Sequence, residues 1–123
     1  MIEALHTDLA AGRWSQLTLA EQLANIGSEV GRAARAKSTG NEQRMTAAMQ
    51  RALELFDLTL ADVQWHGRRR EICRAREVFC DFLVGENECG STAASLDAYF
   101  LAFAIAARAQ KAPQQRLARG NRS

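Results

Sequence analysis

The chain has 123 residues and a formal net charge of +2, with 23 alanines and 13 leucines against only eight valines and isoleucines together and a single proline. This is one domain's worth of chain with a helix former's composition, and no stretch alternates convincingly like a strand. No apolar run approaches the roughly 20 residues that span a bilayer, and the opening residues, with Glu3, His6 and Asp8, lack the basic-then-apolar order of a signal peptide, so a cytoplasmic protein without a membrane partner is expected.

In chain order, Ile2, Leu5 and Leu9 recur at helical spacing up to Gly12 and predict a short N-terminal helix or arm. Thr18 followed by Glu21 is a capping box, so a helix begins at Leu19. Its core stripe is Leu19, Leu23, Ile26, Val30 and Ala33. Beside it runs a row of small residues, Ala20, Ala24, Gly27 and Gly31, which would let another helix approach closely. The run Ser38-Thr39-Gly40-Asn41 breaks this helix, and Asn41 caps a second that carries Met45, Met49, Ala52, Phe56 and Leu60 inward to about Ala61. Two helices joined so briefly are antiparallel neighbours.

Residues 62–67 form the next connection. A third helix runs from about Arg69 to Val84, with Ile72, Ala75, Phe79 and Leu83 inward and Gly85 as its stop. After a loop over 86–91, Thr92 caps a fourth helix that ends near Gln110, ahead of Pro113. The expectation is an all-α, antiparallel up-and-down four-helix bundle over residues 1–112, followed by a basic, disordered and mobile tail over 113–123. Five basic and no acidic residues fall from Arg108 onward, whereas the body before them, with 11 basic and 14 acidic groups, stands at −3.

The fourth helix is apolar nearly all round. Leu96, Tyr99, Phe100, Phe103 and Ala107 make one face, and Ala98, Leu101, Ala102 and Ile105 much of the other. A helix of that kind is covered on both sides. In a four-helix bundle the second cover is either the N-terminal arm or another subunit, and a homodimer with Ala98, Leu101, Ala102 and Ile105 in its interface is expected.

Chemistry-bearing constellations are sparse. Cys73, Cys80 and Cys89 match no zinc spacing, and Cys73 and Cys80, seven residues apart on one helix, stand about 10 Å apart along it, beyond disulfide reach. They read as reduced thiols that fill the core or its boundary. His6 and His66 have no partner at metal-binding spacing. Glu54, Asp57, Glu77 and Asp81 form i,i+3 and i,i+4 pairs that could serve Mg2+, but no further Glu-x-x-Glu completes such a site, and ion pairing on an exposed face is the simpler reading. Neither catalytic residues, nor metal ligands, nor a cofactor are assigned.

The most concentrated basic feature is the start of the third helix, where Arg69, Arg70, Arg74 and Arg76 gather beside the unpaired amides of a helix N-terminus. They are the expected ligand-binding residues, for an anion such as phosphate. On a helical wheel Arg70 and Arg74 face outward, while Arg69 and Arg76 flank the core edge, where a guanidinium can instead hold a carboxylate such as Asp57.

Four antiparallel helices in about 100 residues, with small size and an expected dimer face, resemble in architecture the HEPN group of small prokaryotic helical bundles over roughly residues 15 to 110, and the phrases Arg51-Ala-Leu-Glu-Leu-Phe-Asp-Leu58 and Arg76-Glu-Val-Phe-Cys-Asp-Phe82 resemble those of uncharacterised bacterial proteins of this size. That group includes substrate-binding partners of minimal nucleotidyltransferases and ribonucleases with an Arg closely followed by a His. Here the nearest Arg before His66 is Arg51, fifteen residues ahead, so no catalytic residue carries over. The resemblance implies a noncatalytic, dimeric binding or partner module, engaging a nucleotide-related ligand or an enzyme subunit such as a small nucleotidyltransferase. The alternative is a divergent enzyme acting on RNA or nucleotides through the arginines and nearby carboxylates.

Overall fold

A computed structural model describes residues 13–122, with side chains to residue 109. The expected N-terminal segment with Ile2, Leu5 and Leu9, and also His6, lies outside the described residues. Four helices follow one another: α1 (Leu19–Ser38), α2 (Glu42–Ala61), α3 (Arg69–Leu83) and α4 (Ala93–Arg122). A 3-10 turn, Trp14–Gln16, precedes α1 and another, Val63–Arg68, leads into α3. Among the described residues there is no strand, and the chain is an antiparallel four-helix bundle.

The helix starts follow from local chemistry. Thr18 Oγ1 accepts from the Glu21 amide at 3.1 Å and Glu21 Oε1 accepts from the Thr18 amide at 2.8 Å, which closes the capping box. Asn41 Oδ1 accepts from the Arg44 amide at 3.0 Å. Thr92 and Ser95 cap α4 reciprocally, the Ser95 amide donating to Thr92 Oγ1 at 3.0 Å and the Thr92 amide to Ser95 Oγ at 2.8 Å. Each removes a backbone donor that a helix start otherwise leaves unpaired.

The core joins Leu23, Ile26 and Val30 of α1, Ala52 and Phe56 of α2, Ile72 and Phe79 of α3, and Leu96 and Phe100 of α4. Phe56 sits at its centre, its ring 6.2 Å from that of Phe79 and 6.0 Å from that of Phe100. The buried line of α2 is rotated from the expected one: Ala48, Ala52, Leu55, Phe56 and Thr59 are buried, whereas Met45, Met49 and Leu60 are half-buried. Small Ala48 and Ala52 allow α1 close to α2, and the longer methionines lie at the flank.

α1 is the central element, packed closely against both α2 and α4. Its small-residue row faces α4, and a Cβ placed on Gly27 would lie 3.5 Å from Phe100 Cβ. α3 is fastened at its end by Lys37, whose Nζ donates to the carbonyls of Phe82 and Leu83 at 2.9 Å each. The backbone over 113–122, expected as a separate tail, continues α4 past Pro113 to Arg122; neighbouring alanines, glutamines and Leu117 favour a helix, and proline costs it one donor. Ser123 lies outside the described residues.

Candidate functional site

The arginines at the start of α3 do not converge. Arg76 Nε turns toward α2 and lies 3.4 Å from Asp57 Oδ1, as the flank position suggests. Arg68 pairs with Glu71 within the first turn, and its guanidinium lies over the Phe103 ring, 5.6 Å from the centroid. Arg70 and Arg74 are exposed and line a groove of about 550 Å³ between α3 and α4, together with Glu71, Tyr99, Ala102 and Phe103. Arg69 is exposed. The preceding 3-10 turn already uses part of the helix start, because the Arg69 amide donates to the His66 carbonyl. An anion would therefore meet a two-arginine groove with one carboxylate in it. Partial burial in this groove pushes the Tyr99 phenol above its usual range, with Arg74 opposing and Glu71 reinforcing the shift.

The outer face of α4 is open. Ala98, Leu101, Ala102 and Ile105 are all exposed, Leu101 at 62% and Ile105 at 58%, while Leu96, Phe100 and Ala107 on the opposite side are buried. Two charged and exposed residues, Asp97 and Arg108, frame this stripe at its two ends. On the helical wheel they fall within about 20° of each other, along one edge of the stripe.

The carboxylates disperse. Asp81 Oδ1 accepts from the Glu88 amide at 2.9 Å and Oδ2 from the Cys89 amide at 3.0 Å, so Asp81 organises the α3–α4 loop. These amides, Cys89 first and then Glu88, hold its carboxyl below the usual carboxylate range. Asp81, expected on an exposed face one turn from Glu77, is half-buried and takes this role instead, which the sequence signals only by Asp81 preceding a turn-rich segment. Among the described residues no three His, Cys, Asp or Glu side chains gather where they could hold a metal ion. All three cysteines are free; Cys80 is half-buried at the core boundary, but Cys73 and Cys89 are exposed, where filler positions are expected. His66 is exposed.

Sequence reasoning also misses Arg32, Arg35, Arg44 and Arg51. They lie on two helices and come together only through the register of the α1–α2 hairpin, around a second groove of about 550 Å³. Comparison with known protein families, characterised proteins and solved structures finds no match for this chain.

Proposed function

We propose that the chain is a noncatalytic binding module that acts as a homodimer through the outer face of α4. The observation that carries this reading is the exposed stripe Ala98, Leu101, Ala102 and Ile105, with two large aliphatic side chains one turn apart and open to solvent. A two-fold axis near residue 103 sets Leu101 of one copy against Ile105 of the second, and brings Asp97 of each within a residue of Arg108 of the other. One patch is thereby complementary to itself in both apolarity and charge, as an isologous interface requires. The pairing of Arg76 with Asp57 and of Arg68 with Glu71 favours a structural over a catalytic role for these two arginines, because the groups are engaged with one another.

The test is the solution mass by light scattering, with helicity checked by circular dichroism. The wild type should weigh two chains, and Leu101→Glu one. Asp97→Arg should weaken the dimer and Arg108→Asp added to it should restore association. A wild type that stays monomeric at about 100 μM, or a Leu101→Glu variant that keeps the dimeric mass, overturns the reading. A monomer that instead captures a small nucleotidyltransferase would assign the face to a different subunit.

A further inference from the structure

The hairpin of α1 and α2 carries the strongest unassigned feature of the molecule. Arg32 and Arg35 from α1 meet Arg44 and Arg51 from α2 around a groove of about 550 Å³ whose floor includes the small side chains of Ala36 and Ala48. Glu29 ties two of the four together, accepting from Arg51 Nε at 3.1 Å and pairing with Arg32 Nη1 at 3.0 Å. Glu29 is only 15% exposed, so it is a fixed anchor that orients two guanidinium groups. Arg35 and Arg44 are exposed and have no ion-pair partner among the described residues. Four arginines and no carboxylate are among the residues that line the groove, which leaves it positive. The chain outside the basic tail is otherwise mildly acidic, so this concentration is local.

The geometry points to a binding site for linked phosphates. Guanidinium groups meet phosphate oxygens with paired, charge-assisted hydrogen bonds. Arg44 and Arg51 are seven residues apart on α2, a rise of about 10 Å, and Arg32 and Arg35 face them across the groove. That spread suits successive phosphates better than one isolated ion. The alanine floor lets a backbone approach closely, and no aromatic ring lines the groove to stack on a base. Recognition is therefore of the phosphate chain, which a nucleoside triphosphate and a single-stranded nucleic acid share. Asp97 borders Arg32 and Arg35 from α4 in the adjoining groove and limits the positive surface on that side.

The full chain should be titrated with inorganic tripolyphosphate, with ATP and with a fluorescent oligouridylate, at low and at physiological salt. Binding of at least one probe is expected, weakening with salt; for the oligonucleotide, three neutralised phosphates give a log-log slope of about −2. Arg35→Ala with Arg44→Ala should weaken that binding at least tenfold at unchanged helicity, since neither side chain holds another element. Arg70→Ala with Arg74→Ala should leave it unchanged. Binding of tripolyphosphate and ATP alone would identify a small polyphosphate, and binding of the oligonucleotide alone a nucleic-acid backbone; either supports the site. Failure of all three probes, or equal binding by the Arg35/Arg44 double variant, overturns it. The dimer reading is tested separately, because Leu101→Glu lies outside this groove.

Discussion

The indole Nε1 of Trp14 donates to the hydroxyl of Thr59 at 3.1 Å across 45 residues of sequence, and both side chains are buried. Gln22, also buried, extends this link by donating its Nε2 to the Trp14 carbonyl at 2.9 Å. The 3-10 turn ahead of α1 is thus clamped to the far end of α2. Thr59→Val keeps the shape but leaves the indole donor without its acceptor, so stability should fall by about 1–3 kcal/mol. Chemical denaturation checks this, and an unchanged midpoint would show that the hydrogen bond contributes nothing net.

Two glycines should respond in opposite directions. At Gly27 an added methyl group would make ordinary contact with Phe100, so Gly27→Ala should stabilise by up to about 1 kcal/mol through helix propensity. At Gly85 a Cβ would lie 3.0 Å from both Cα and the carbonyl oxygen of Asp81, backbone atoms that cannot swing away. Gly85→Ala should destabilise by about 1 kcal/mol or more. Thermal melts of both variants decide the matter.

Asp81 predicts a pH dependence. Its carboxyl is held below its ordinary value in the folded state by the amides of Cys89 and Glu88, so its stabilising contribution is present above the ordinary carboxylate range and is lost as pH falls through the lowered value. Asp81→Asn replaces one carboxylate oxygen by a donor and should lower Tm at pH 7. The gap to the wild type should narrow at pH 3; a gap that stays constant with pH would mean that charge plays no part.

The thiols should separate into two kinetic groups. Cys73 and Cys89 are exposed, whereas Cys80 is half-buried and burial raises its thiol above the usual range, with Arg76 opposing. A chromogenic disulfide at pH 8 should therefore titrate two fast thiols and one slow one in native protein, and three fast ones after unfolding.

The architecture was legible because its signals are local. Thr18 with Glu21, Asn41 and Thr92 each cap a helix within three or four residues, and the stripes Leu19 to Ala33 and Ile72 to Leu83 follow a single period. What depends on distant partners was not. Thr59 reads as a polar residue near a helix end until Trp14 is placed against it, and Met45 and Met49 read as core until Ala48 brings α1 closer. Arg69, Arg70, Arg74 and Arg76 stood out by their nearness in sequence, yet Arg76 is engaged by Asp57 and the neighbouring Arg68 by Glu71. Arg32, Arg35, Arg44 and Arg51 are scattered over two helices, and no spacing rule gathers them.

The dominance of α1 in the packing sets an order of opening. α2 and α4 lie closely against it, whereas α3 approaches its neighbours less closely and is tied to them mainly through Phe79, Ile72 and the Lys37 clasp on its last carbonyls. Amides of α3 should exchange with deuterium through partial opening while those of α1 wait for global unfolding. Such an excursion would widen the cleft bordered by Tyr99 and Phe103, so the surface beside Arg70 and Arg74 should change shape whenever α3 opens.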